Sequence, residues 1–168
     1  MHTSEWRRLL SVVLPAALSL AAIALLVATV FDFGAPNPAP RIGDHWHATY
    51  EYYVCGEKQA NAPTWEGGVH THADGIIHIH PFESFEEGSG ARLVRWFEYG
   101  GGLLTDDEVR LPGDRTTYAN GDECPDGSVG VVQVYVTSAA TGIEERLEDW
   151  GEYIPQDSDR IVIGFGPE

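Results

Sequence analysis

His45 to Cys55 reads HWHATYEYYVC and alternates strictly: Trp46, Ala48, Tyr50, Tyr52 and Val54 fall on one side, and His45, His47, Thr49, Glu51, Tyr53 and Cys55 on the other. A period of two with apolar residues on one side is the pattern of a half-buried strand. Gly75 to Phe82, GIIHIHPF, alternates in the same way, with Ile77 and Ile79 on one face and Ile76, His78 and His80 on the other, until Pro81 ends regular pairing. If the two segments pair antiparallel with indices summing to 125, His45 meets His80 and His47 meets His78. Four imidazoles then share one patch, and Trp46, Tyr50, Tyr52, Val54, Ile77 and Ile79 face the other way. The expected unit is a hairpin with histidines outside and aromatic and aliphatic side chains inside.

Outward from this pair, Ser89 to Tyr99 reads as a short helix. Leu93, Trp96, Phe97 and Gly100 recur at helical spacing, Ser89 can cap the start, and Gly100-Gly101-Gly102 ends it. Turn-rich sequence from Pro112 to Ser128 precedes a strand at Val131 to Val136, and Arg160 to Phe165 reads as a last strand. Between them Thr141-Gly142-Ile143-Glu144 has the spacing of a capping box, with Ile143, Leu147 and Trp150 on one face of a second short helix. Strand, strand, helix, strand, short helix, strand is an α+β order. It resembles a β-grasp, and the ending DSDRIVIGFG is similar to the closing strand of ubiquitin-like domains. At the level of fold, such a likeness carries no function.

The 168 residues leave room for one ordinary domain, here 43–168, and 43% apolar content with 5 Trp, 7 Tyr and 6 Phe can build its core. Ahead of it, Leu9 to Phe31 is 23 residues without a charge, long enough to cross a bilayer as a helix. Arg7 and Arg8 before it and Asp32 after it place residues 1–8 in the cytoplasm, 9–31 in the membrane as a signal anchor, and all that follows outside. The run exceeds the apolar stretch of a cleaved signal peptide, Leu26-Val27-Ala28 approximates a cleavage site poorly, and Ala35 is followed by Pro36, so the anchor is expected to be retained. Pro15 is tolerated in a membrane helix. Residues 32–42, with GAPNPAP from Gly34 to Pro40, form a stiff proline-rich linker. Removing Glu5, Arg7 and Arg8 from 10 basic and 26 acidic residues leaves 8 and 25 beyond position 31, a net of −17. Lys58 is the one lysine and the arginines are scattered, which excludes a phosphate-backbone surface; nucleic acid is not a partner. The expected partners are the lipid bilayer, a metal ion and a membrane protein.

Cys55 and Cys124 are the two cysteines, and outside the cytoplasm they read first as a disulfide; the alternative is that Cys55 ligates a metal. Six of the seven histidines lie within 36 residues as three His-x-His pairs, His45 and His47, His70 and His72, His78 and His80. On a strand, residues two apart share a face about 6.6 Å apart, so each pair can aim both rings at one ion. Asp74-Gly75 is a turn pair, which places His70 and His72 on a loop or bulge at the end of the second strand, where they would close the site. Glu51 and Asp74 are candidates to ligate or to orient a ring through its other nitrogen. Imidazole ligands suit zinc, copper, nickel or iron and disfavour calcium and magnesium. Copper(II) and zinc lead, copper because it tops the affinity order for nitrogen sites and zinc because it is the commoner protein ion; Met1 is the sole methionine, so no thioether lies outside for copper(I).

GDHWHATYEYYVCGE followed by GGVHTHADGIIHIHPF resembles a group of actinobacterial single-pass membrane proteins that carry GDHWHA, a YVC strand and GIHTHGDG-IHIHPF. More distantly it is similar to exported bacterial domains in which an HxH strand precedes an HTHD-x-x-GxIH segment. The resemblance covers residues 43 to 100, is weaker over the last forty residues, and implies a recurring module without naming a reaction. His45-x-His47-x-x-x-Glu51 fits the central ligand spacing of the cupins, but the surrounding glycines are absent and no second cupin motif follows. Three readings remain open. The domain holds or delivers a metal, or it is a metalloenzyme with Glu51 or Asp74 as general base, or it is an accessory subunit of a membrane complex with structural histidines. No G-x-S-x-G, P-loop, C-x-x-C or HExxH motif offers other chemistry.

Overall fold

The computed structural model describes residues 39–168; the expected anchor at 9–31 and most of the linker lie outside them. Among the described residues no helix is long and apolar enough to cross a membrane. They form a mixed α+β domain dominated by sheet.

The alternating segment becomes β1 (Trp46–Val54), followed by β2 (Glu57–Lys58), β3 (Val69–His70) and β4 (Ile76–Ile79). Then come α1 (Leu93–Tyr99), β5 (Leu103–Leu104), β6 (Glu108–Arg110), β7 (Tyr118–Ala119), β8 (Val131–Thr137), β9 (Glu144–Arg146) and β10 (Arg160–Gly166). The main sheet has the order β3-β4-β1-β10-β8-β9, with β2 paired to the far end of β1; β5, β6 and β7 form a separate small sheet. The chain's last strand lies beside its first: β1 and β10 run parallel, from Thr49 opposite Arg160 to Val54 opposite Phe165. All the other strand pairs are antiparallel.

The pairing of β1 with β4 has the predicted register, Trp46 opposite Ile79, His47 opposite His78, Ala48 opposite Ile77 and Thr49 opposite Ile76. Tyr50, Tyr52, Ile77 and Ile79 are at most 3% exposed. They pack with Trp96 and Phe97 of α1, and Trp96 lies 4.8 Å from the Tyr50 ring and 4.9 Å from Trp65. These rings form a floor beneath the sheet. Helix α1 is pinned to β3 by Trp96 Nε1, which donates to the His70 carbonyl at 3.2 Å.

Three expectations are corrected. The first helix starts at Leu93, because Gly88 to Ala91 makes a separate 3-10 turn and Arg92 (ψ 152°) breaks the path between them, so Ser89 caps nothing in α1. The second helix does not form. Gly142, at φ +68°, closes a hairpin in which Ser138 N donates to Ile143 O, and residues 144–146 pair with the edge of β8 instead. Thr141 Oγ1 accepts from Ile143 N, so the apparent capping box is turn chemistry. Trp150 is buried but Ile143 is 64% exposed. The third concerns His70, which sits on a strand of its own: it pairs with His78 on the side of β4 away from β1, Thr71 bridges to Trp65, and His72 lies just past them on the loop that leads to β4.

Cys55 and Cys124 form the expected disulfide, Cα–Cα 5.7 Å, which removes Cys55 as a ligand. Cys55 and Gly56 make the two-residue turn between β1 and β2, both at positive φ (51° and 82°), the geometry that matches strand twist and favours glycine at the second position. The bridge closes a loop 69 residues long and on chain-entropy grounds contributes about 3 to 5 kcal/mol. Mass analysis without reductant should therefore find the chain two hydrogens lighter than after reduction, and reduction should lower the thermal midpoint; free alkylation of both thiols in freshly isolated protein would contradict the pairing.

Candidate metal centre

Strands β3, β4 and β1 lie side by side, and alternation turns all three His-x-His pairs to the face away from the aromatic floor. Across the strands His70, His78 and His47 form one row, because His78 is opposite both of the others. His45 and His80 continue the register one pair beyond, with ring centroids 3.7 Å apart. His72 extends the row of β3 in the other direction. The six rings make a continuous patch.

Within the patch, ligand atoms converge in two groups of three: His45, His47 and His80, and His70, His72 and His78, each with atoms within 4.8 Å of one another. The strand pairs are thus divided unevenly. Each outer strand gives a whole His-x-His pair to one group, and the central strand β4 gives His80 to the first and His78 to the second. The predicted patch of His45, His47, His78 and His80 exists on one face, but it does not act as one cage.

The nitrogen distances are informative. His47 Nε2 is 3.1 Å from His45 Nε2 and 3.4 Å from His80 Nε2, and His70 Nε2 is 3.2 Å from His72 Nε2. A neutral imidazole nitrogen carries either one N–H or one in-plane lone pair, so His47 Nε2 can form one good hydrogen bond and not two. A tetrahedral ion with metal–nitrogen bonds of about 2.0 to 2.1 Å separates its ligand nitrogens by about 3.3 Å. Both groups could hold a metal ion.

Protonation favours that role. Burial, followed by the nearness of His78 and His45, lowers the His47 pKa from its usual value, and burial with His78 and His72 lowers that of His70. His80 is pushed down to about 4 by burial and by His45, His70, His47 and His78 around it. These rings are neutral at pH 7 with lone pairs free.

Asp74, on the turn before β4, meets His78: its Oδ2 is 3.0 Å from His78 Nε2, while Oδ1 accepts from Ile76 N and Thr71 Oγ1. Burial pushes the Asp74 carboxyl up, but the hydrogen bonds from His78 and Ile76 outweigh it and hold it below the usual range. An ionised carboxylate only accepts, so His78 carries its proton on Nε2 and presents the lone pair of Nδ1. Glu51 does not join the site. Its carboxylate is held by Lys58 and by Arg160 at 2.8 Å, about 13 Å along β1 from His47 by strand rise.

Glu86 is the residue that the sequence reading missed. It is 6% exposed and accepts backbone N–H groups from Gly68 (2.7 Å), Phe82 (2.8 Å) and Glu83 (3.1 Å). Burial raises its pKa, yet these three bonds prevail and keep it anionic beside His70. A Cβ at Gly68 would collide with this carboxylate, which explains glycine at the position just before β3. Glu86 ties the chain before β3 to the chain after β4, and so braces His70 against His80. The one available signal was Gly67-Gly68 directly before the His70 pair. His70 Nδ1 is buried without a hydrogen bond of good geometry among the described residues, the Gly67 backbone being its polar neighbour.

No protein-family model, curated protein or solved structure matches the chain.

Between the unfolded histidine value near 6.5 and the lowered folded values, the unfolded chain binds more protons, so stability falls as pH drops through that window. In EDTA-treated protein the thermal midpoint should be lower at pH 5 than at pH 7, above the carboxylate range, and His80→Ala should show a smaller drop; equal midpoints for the wild type would contradict neutral, crowded imidazoles. Glu86→Gln, which keeps the shape but loses the charge and one acceptor, should lower the thermal midpoint and weaken metal binding about tenfold, read by chelator competition.

Proposed function

We propose that the protein is a membrane-anchored extracytoplasmic domain that binds transition-metal ions, copper or zinc, through its paired His-x-His motifs. The observation that carries this reading is the convergence of imidazole nitrogens at 3.1 to 3.4 Å, twice on one sheet face. A structural histidine network would satisfy its nitrogens with carbonyls and hydroxyls; here nitrogens face nitrogens, an arrangement that an ion resolves. Three imidazoles and no thiol favour a borderline ion over calcium or magnesium. The net charge of −17 beyond position 31 draws cations towards the site.

The anchor reading rests on the uncharged run from Leu9 to Phe31 and its basic flank. The fold reading is a β-grasp. It is supported by the order β4-β1-β10-β8-β9, by the parallel pairing of first and last strands, and by α1 between the second and third long strands, with β5 to β7 as an insertion. The resemblance of the histidine segments to actinobacterial single-pass proteins agrees with the anchor reading.

Elemental analysis of protein refolded with excess copper or zinc and dialysed should find metal retained. His47 and His78 belong to different triads, so replacing both by Ala should abolish retention while the circular dichroism spectrum stays unchanged, since neither side chain enters the core. Wild-type protein retaining less than about one tenth of an equivalent would exclude a site of micromolar affinity or better. A C-terminal tag should be digested by protease added to intact cells, and the protein should resist high-salt extraction from membranes; a soluble product starting near Asp32 would defeat the anchor.

A further inference from the structure

We propose that the two triads form an unequal pair, in which the more exposed triad His45–His47–His80 receives a metal ion from outside and the more deeply set triad His70–His72–His78 holds it. This rests on the metal-binding reading and adds an order and a direction to it.

Exposure separates the triads first. Each triad has one ring in solvent, His45 and His72; of the remaining rings, His47 and His80 of the receiving triad are half-buried, whereas His70 and His78 of the holding triad are only 7% and 9% exposed. A hydrated ion loses its waters stepwise as imidazoles replace them, which favours capture where rings reach solvent and retention where water is excluded. Charge makes the same division. Three neutral imidazoles leave a dication uncompensated, and a buried charge is stable only when paired. Asp74 at His78 and Glu86 beside His70 supply that compensation at the holding triad. At the receiving triad the neighbouring carboxylate is Asp157, whose Oδ1 accepts the His47 backbone N–H at 2.8 Å.

The triads are also joined. The His47 ring lies 4.7 Å from His78, and His80 lies 5.3 Å from His70 and 5.6 Å from His78. An ion can therefore move by exchanging one imidazole for another, its charge unchanged, without release into bulk water. Strand spacing of about 4.8 Å and a rise of about 6.6 Å per two residues put the triad centres about 9 Å apart at the backbone. Two dications at that distance repel, so the second ion to bind is held more weakly, and it remains at the more exposed triad.

The test uses the full chain purified in detergent, stripped with EDTA and titrated with zinc against a chromophoric chelator, with loading followed by stopped flow. Wild type should bind two equivalents with affinities at least tenfold apart. His72→Ala should remove the tighter equivalent. His45→Ala should remove the weaker one and leave the affinity of the tighter unchanged, but should load it at least tenfold more slowly; both side chains are exposed, and circular dichroism checks that folding is retained. Two equal affinities, loss of the tighter equivalent in His45→Ala, or loading of that variant at the wild-type rate would overturn the proposal. A single ion lost on either substitution would overturn the two-site order while leaving metal binding intact, and no zinc bound by wild type would overturn the metal reading itself.

Discussion

The structure depends on the position of β1, hydrogen-bonded to β4 on one side and to β10 on the other. The chain's first and last long strands are thereby locked in parallel at the centre of the sheet. Because side chains alternate with a period of two, this one register decides both faces together. With Trp46 opposite Ile79, the residues Tyr50, Tyr52, Ile77 and Ile79 enter the core and every His-x-His pair faces out. A slip of one residue would bury imidazoles and expose tyrosines, so the packing that stabilises the domain also sets the geometry of the site.

The site is rigid for reasons that lie underneath and beside it. The cluster of Trp96, Tyr50, Trp65 and Phe97 fills the space below β3, β4 and β1, and two indole N–H groups, of Trp96 and Trp65, hold the carbonyls of His70 and Val69. Glu86 ties Gly68 to Phe82 and Glu83 from above. A ligand set mounted on paired strands over an aromatic floor can hold its nitrogens close without an ion, which reduces the ordering that binding must supply. The cost is electrostatic. Burial and the neighbouring rings lower the pKa values of His47, His70 and His80.

The carboxylates divide the patch into two environments. Asp74 and Glu86 both lie at the holding triad; hydrogen-bond donors aimed at each hold its pKa below the usual range, in Glu86 against burial and in Asp74 against partial desolvation at the surface. Glu51, the carboxylate nearest to the histidines along β1 by spacing, is neutralised by Lys58 and Arg160 and serves the sheet instead. Sequence proximity on a strand was here a poor guide to partnership, since partners are chosen across strands and the neighbour on that side is β10.

From the sequence by itself came strands at 45–55, 75–82, 131–136 and 160–165, the face that His45, His47, His78 and His80 occupy, the β1–β4 register and the disulfide. The strands and faces follow from local periodicity, the register from matching the two alternating patterns, and the disulfide from a count of two cysteines. The helix expected at 141–150 failed because the open edge of β8 offered residues 144–146 a hydrogen-bonding partner, and backbone pairing outweighed a capping signal. Only the tertiary structure decided that β3 lies on the outer edge of β4. That placement makes β4 the shared middle strand, divides three pairs into two triads and brings Glu86 to His70. Period-two alternation states which way a side chain points, but not which strand becomes its neighbour, and the neighbour determines which three nitrogens meet.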